Sequence, residues 1–99
     1  MYTTIVRRTF DPARTQETRE RAQREFFPAM QQAPGLVGFY LVADNEQGVN
    51  TAITVWENKE SADAFWPQVE AWSRTLDSLG NRMETTNRGE TVIEITPQQ

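Results

Sequence analysis

The chain has 99 residues, 37% of them hydrophobic and 10% aromatic, with a net charge of −4 at neutral pH. That suffices for one small hydrophobic core, and it lacks the excess positive charge of a nucleic-acid footprint. The absence of both cysteine and histidine excludes disulfides, thiolate metal sites and the commonest general base, so neither a metal nor haem is expected.

Tyr2–Phe10 alternates Tyr2, Thr4 and Val6 against Thr3, Ile5 and Arg7, which predicts a strand. Arg7 and Arg8 follow its apolar residues with no hydrophobic stretch behind them, so no secretory signal is expected. No apolar run approaches the roughly 20 residues of a membrane span, and the expected location is cytoplasmic. Asp11-Pro12 supplies a helix start, because Asp caps free amides and Pro pre-sets its own φ. From Ala13 to about Met30 the pattern is helical, with Thr18, Ala22, Phe26 and Met30 in one stripe. Glu17–Arg21, Glu20–Arg24 and Arg21–Glu25 form i,i+4 pairs on the outer side. Pro28 should kink this helix or end it early, and Ala33-Pro34-Gly35 closes it.

Leu36–Glu57 reads as a hairpin. Leu36–Ala43 is almost wholly apolar, Asp44–Gly48 carries turn chemistry, and Val49–Trp56 resumes with β-branched and aromatic residues. Alternation places Leu36, Tyr40 and Val42 on one face, with Val37, Phe39, Leu41 and Ala43 on the other. A sheet with one wet face alternates apolar and polar residues, so both faces of this one should be covered.

Asn58 is a plausible N-cap for a second helix running to Leu79, with Gly80 as its C′ residue. Ala62, Phe65, Val69, Trp72, Leu76 and Leu79 recur three and four apart, a stripe that should face the sheet. Pro67, inside it, should kink or split the helix. Asn81–Gly89 is polar and loop-like, though Met83 or the Thr85-Thr86 pair could be strand; Thr91–Thr96 reads as the last strand, and Pro97-Gln98-Gln99 as a tail. The order βαββαβ over a single domain, residues 1–99, predicts an α+β, ferredoxin-like fold: a four-stranded antiparallel sheet with two helices on one face. The apolar opposite face predicts a homodimer.

Ala33-Pro34-Gly35-Leu36-Val37-Gly38-Phe39-Tyr40 resembles the APG(L/F)xG(Y/F) segment of dimeric α/β-barrel proteins. Thr54-Val55-Trp56-Glu57-Asn58-Lys59-Glu60-Ser61-Ala62 resembles their junction into the second helix. The likeness is to the antibiotic biosynthesis monooxygenase type and spans roughly Tyr2 to Ile95. It implies a dimeric α/β barrel and, in oxidising members, cofactor-independent attack of oxygen on a quinol or polyphenol. Trp66 falls where several such members place a pocket Trp. Quinol-oxidising members tend to carry Asn one turn earlier, where this chain has Ala62, and the nearby Asn is Asn58.

The catalytic candidates that follow are Trp66, Asn58 and Tyr40, with Trp72, Phe65, Arg74 and Arg82 as substrate-binding candidates. Each also has a structural reading. Trp72 lies in the core stripe, Trp66 flanks it, Asn58 is an N-cap, and Tyr40 is a sheet residue. Arg74 and Arg82 can be solvated or pair with Glu70 or Glu84. Two functions stay open: a cofactor-independent monooxygenase of a small aromatic molecule, or a non-catalytic dimeric module for a small hydrophobic ligand. The expected partners are a second copy and a small aromatic molecule, with no nucleic acid and no membrane.

Overall fold

A computed structural model of the chain describes residues 1–98. Strand β1 (Tyr2–Thr9) lies inside a four-stranded antiparallel sheet of order β2-β3-β1-β4, where β2 is Leu36–Asp44, β3 is Val49–Trp56 and β4 is Arg82–Glu90. Tyr2, Thr4, Val6 and Arg8 point to the buried side of β1 and pair in register with Trp56, Thr54, Ala52 and Asn50 of β3. The expected alternation of β1 therefore holds, and it extends through Arg8.

Asp11 opens the first helical segment, its Oδ1 accepting from the Ala13 amide at 3.0 Å. The predicted single helix is divided: a turn of 3-10 helix (Pro12–Arg14), then α1 (Thr15–Glu25) and α2 (Phe27–Gln31). The break falls at Phe26, whose φ of −120° leaves the helical range. Pro28, in the first turn of α2, has no amide to continue the ladder, so its expected effect is realised as a new helix start. Ala22, Phe26 and Met30 are buried, as the stripe predicted.

Asp44 and Gly48 make the hairpin turn. The Asp44 Oδ1 accepts from the amides of Glu46 and Gln47 at 3.0 and 3.2 Å, and Gly48 closes the loop at φ +66°, a conformation side chains disfavour. Gly35 also has a positive φ, +83°, and a Cβ there would collide with the Ser61 side chain, where the chain passes the next helix.

Three sequence expectations are corrected. Pairing shifts between Leu36 and Gly38, so Leu36 lies opposite Trp56 on the buried side rather than with Tyr40 and Val42. Helix α3 (Lys59–Ser78) runs through Pro67 unsplit, held by its buried stripe of Ala62, Phe65 and Leu76. The last strand is the polar segment Arg82–Glu90, not Thr91–Thr96. Eight of its residues find register partners on β1, from Tyr2 opposite Glu90 to Thr9 opposite Arg82. Past it, Thr91 is tied back by its amide to the Met1 carbonyl at 2.8 Å, and its hydroxyl lies 2.6 Å from that of Thr3. Val92, Ile93 and Ile95 then stand 86%, 74% and 88% exposed.

The core lies between sheet and helices and joins Tyr2, Phe26, Met30, Trp56, Ala62 and Phe65. Trp56 packs on Phe65 with centroids 5.4 Å apart, and Phe26 stacks on Trp72 at 5.5 Å with planes 6° apart. Among the described residues no helix is long and apolar enough to cross a membrane.

Candidate functional site

An amphipathic layer of helices over a sheet leaves space where small floor residues meet large roof residues. Here the floor is Thr4 and Val6 of β1, Ala52 and Thr54 of β3, and Phe39 and Leu41 of β2. Phe26, Trp66, Val69 and Trp72 of the helices form the roof. The cleft between them has a volume of about 110 Å³. A broader depression of about 590 Å³ runs past Pro34, Asn58, Glu60 and Gln68, but these side chains are exposed, and it lies on the outside of α2 and α3. The inner cleft instead lies between sheet and helices and is lined mainly by apolar side chains.

Trp66 closes one end of the roof. The guanidinium of Arg88, reaching from β4 at the position opposite Thr4, lies 4.4 Å from the indole centre and 5.7 Å from the Tyr2 ring. Its Nη2 donates to Asp63 Oδ1 at 2.6 Å, while Lys59 Nζ donates to Asp63 Oδ2 at 3.0 Å. These two bonds, Lys59 first and Arg88 second, hold the Asp63 carboxyl below the usual aspartate range. A depressed carboxylate pKa stabilises the fold above the ordinary value and loses that contribution as pH falls through the folded-state value. The melting temperature should therefore drop on acidification below the ordinary aspartate range. In Asp63→Asn part of that acid sensitivity should disappear, which a thermal melt series in pH checks.

At the other end sits Arg8, 5% exposed, on the β1 position facing Asn50. Its Nη2 donates to the Ser73 hydroxyl of α3, whereas its Nη1 is buried without a hydrogen-bond partner. Burial pushes the guanidinium down from its ordinary value, and the pull of Asp77 only partly offsets this. An arginine nevertheless stays charged in a protein.

Of the residues singled out in the sequence, Trp66 and Trp72 line the cleft together. Phe65 instead packs into the core against Trp56 and Phe26. The Asn58 Oδ1 accepts from the Ser61 amide at 2.8 Å, which commits it to capping α3, and it does not line the cleft. Tyr40 is 60% exposed on the sheet face away from the helices, its hydroxyl lying across Gly38. That placement follows from strand alternation, since Phe39 and Leu41 take the inner face. Arg74 is exposed on α3, between the inward Trp72 and Leu76. Arg82 pairs with Thr9 on the outward side of the sheet.

Sequence reasoning missed Arg8 and Arg88. Arg8 was within reach of it, because continuing Tyr2, Thr4, Val6 by one step puts an arginine on the buried face. Among the described residues no group of three His, Cys, Asp or Glu is placed to hold a metal ion.

Sheet order β2-β3-β1-β4 with the helices on one face places the protein in the ferredoxin-like α+β class. Within that class the chain belongs to the antibiotic biosynthesis monooxygenase family, whose sequence profile matches residues 1–76. A Deinococcus radiodurans protein assigned to the antibiotic biosynthesis monooxygenases superposes with a TM-score of 0.80 at 16% identity, over 100% of both chains. A dimeric ferredoxin-like protein from an uncultured marine organism gives 0.74 at 14% identity, over 98% of this chain and 100% of that one. The ActVA-Orf6 monooxygenase of Streptomyces coelicolor, solved with nanaomycin D, gives 0.74 at 16% identity, over 98% and 92%. No curated protein matches the sequence.

Proposed function

We propose that the chain is a cofactor-independent monooxygenase of small phenolic aromatics, bound in the inner cleft with Trp66 on its wall, and that it works as a homodimer. The observation that carries this reading is the cleft itself, a mainly apolar slot walled by Phe26, Phe39, Trp66 and Trp72 in a member of this family. Flat rings stack on such walls, and each aromatic pair is worth about 0.5–1.5 kcal/mol beyond burial. The ActVA-Orf6 neighbour, solved with nanaomycin D, supports a small-molecule ligand. The dimeric marine protein supports self-association.

The chemistry needs little from the protein. A phenolate with a free para carbon is electron-rich enough to reduce oxygen itself. One oxygen atom ends as the new quinone carbonyl, and the other leaves as water with the phenol proton and the para hydrogen. The substrate supplies all four electrons. A fixed positive charge favours the anion in such a site, the more so where little water screens it.

No carboxylate, imidazole or phenol lines the cleft among the described residues, so the wall provides no proton acceptor. This favours, as a second reading, a binding module without turnover. Oxygen uptake with a naphthol, together with labelled oxygen appearing in the quinone, separates the two. Trp66→Phe should lower turnover or affinity several-fold and change the melting temperature little. If the wild type consumes no oxygen with naphthols or anthrones, the binding-module reading stands.

A further inference from the structure

We propose that the Arg8 end of the cleft is an anion subsite, and that the ligand is an aromatic acid whose carboxylate or comparably acidic oxyanion is held by the Arg8 guanidinium. This rests on the cleft being the ligand site. It goes further by fixing the ligand's charge, its orientation and the residue that selects it.

The observations come from β1 and α3 independently. Alternation along β1 forces Arg8 onto the same buried face as Val6 and Thr4, so the guanidinium lies among the residues that wall the cleft. A buried cation without an ionised partner is unfavourable, because it loses hydration and regains little. Among the described residues no carboxylate forms an ion pair with Arg8. Asp77, one turn beyond Ser73 on α3, acts on it only through space. The Ser73 hydroxyl takes one nitrogen and so fixes the fork, which leaves the buried Nη1 without an acceptor. A protein-supplied carboxylate would have quenched this charge, whereas an incoming one can use it in a charge-assisted bond.

The polar groups around this end agree with that assignment. Asn50, Thr18 and Arg19 complete its walls. None carries negative charge, and Arg19 adds a second cation at the exposed rim. Asn50 also opens onto a neighbouring recess, where Asn81 is buried with its Oδ1 unpartnered.

Geometry sets the ligand's length. Ser73 follows Trp66 by seven positions in α3, about 10 Å at 1.5 Å per residue. An acid with one or two fused rings can therefore place its ring toward the indole and its carboxylate at Arg8. Phenols ionise more readily beside a cation, so the same contact would also favour the oxyanion of a hydroxylated acid.

The test compares naphthoate with its neutral isostere naphthamide, read by quenching of tryptophan fluorescence and by the rise in melting temperature. In the wild type naphthoate should bind about tenfold or more tightly than naphthamide, the size of a charge-assisted hydrogen bond. Arg8→Met should erase that preference, bringing naphthoate affinity down to that of naphthamide. It should also keep or raise the melting temperature, since it removes an uncompensated buried charge. Arg24→Ala, an exposed arginine on α1 away from the cleft, should preserve the preference.

Equal binding of acid and amide by the wild type would overturn the anion subsite while leaving the cleft reading in place. A preference that survives Arg8→Met would overturn it too, by assigning selectivity elsewhere. Binding of neither probe would overturn both readings. The wild-type comparison depends on no variant, so poor folding of Arg8→Met would not rescue the proposal.

Discussion

Trp56→Ala is expected to destabilise the protein by roughly 3–5 kcal/mol, the range for deleting a large aromatic side chain from a packed core. Trp56 is 2% exposed, packs in a tilted arrangement against Phe65 with centroids 5.4 Å apart and belongs to the main buried cluster. Its strand gives it no room to adjust, being paired to β1 on one side and β2 on the other. The cavity would therefore persist instead of collapsing. A domain of this size loses about 4–8 °C of melting temperature per kcal/mol, so the variant should melt at least 12 °C below wild type. Trp72→Ala should fall at the low end of the same range, since its half-buried indole stacks on Phe26 but also borders the cleft. Trp66→Phe should barely register, because the ring is flanked by Arg88 rather than enclosed by the core. A Trp66→Phe melting loss as large as that of Trp56→Ala would make Trp66 a core residue and remove it from the site.

That ordering of the three tryptophans shows where sequence information was strong. Helix stripes and strand alternation are periodic signals with a buried consequence. They placed Trp72, Phe65 and Leu76 inward and Tyr40 on the opposite sheet face from Phe39. They failed wherever a neighbouring strand, and not the segment's own composition, decides. Arg82–Glu90 contains one apolar side chain, Met83, and only a weak strand signal at Met83 and the Thr85-Thr86 pair. It is a strand because β1 offers it a complete ladder, and an edge position asks little burial of it. Val92, Ile93 and Ile95 carry the signal but meet no ladder within the chain.

Site residues were harder to find for a related reason. A catalytic or binding role depends on which faces converge across the cleft. Asn58 and Tyr40 look suitable by type, yet one is consumed by a helix cap and the other faces away. Arg8, which has a polar group free inside, sits in a strand whose pattern reads as ordinary. Its value is visible only once Ser73 is seen to hold half of its fork.

Charging the centre of the outer sheet face should break up the proposed dimer, and with it the fold. Ile53 of β3 stands in register with Ile5 of β1 and Tyr40 of β2, on the side away from the helices. Val42 and Tyr40 there are each 60% exposed in the single chain, and Val49 and Val55 extend the patch. The Arg7–Glu84 ion pair, 3.1 Å long, borders it on the β4 side. A monomer rarely leaves so continuous an apolar face in water. A second copy of the same face would cover it, and an obligate dimer of this kind buries on the order of 2,000 Å² or more. Ile53→Asp should therefore yield aggregated or unfolded protein, because an obligate dimer has little stability as separated chains. Val42→Glu gives the sharper discrimination. On a monomer's surface such a change stays within about 0.5 kcal/mol, whereas at a buried interface it places an unpaired charge in an apolar contact. Sedimentation of wild type should give a dimer, and its melting temperature should rise with protein concentration. A well-folded wild-type monomer at micromolar concentration, with Val42→Glu equally stable, would show that this face needs no partner.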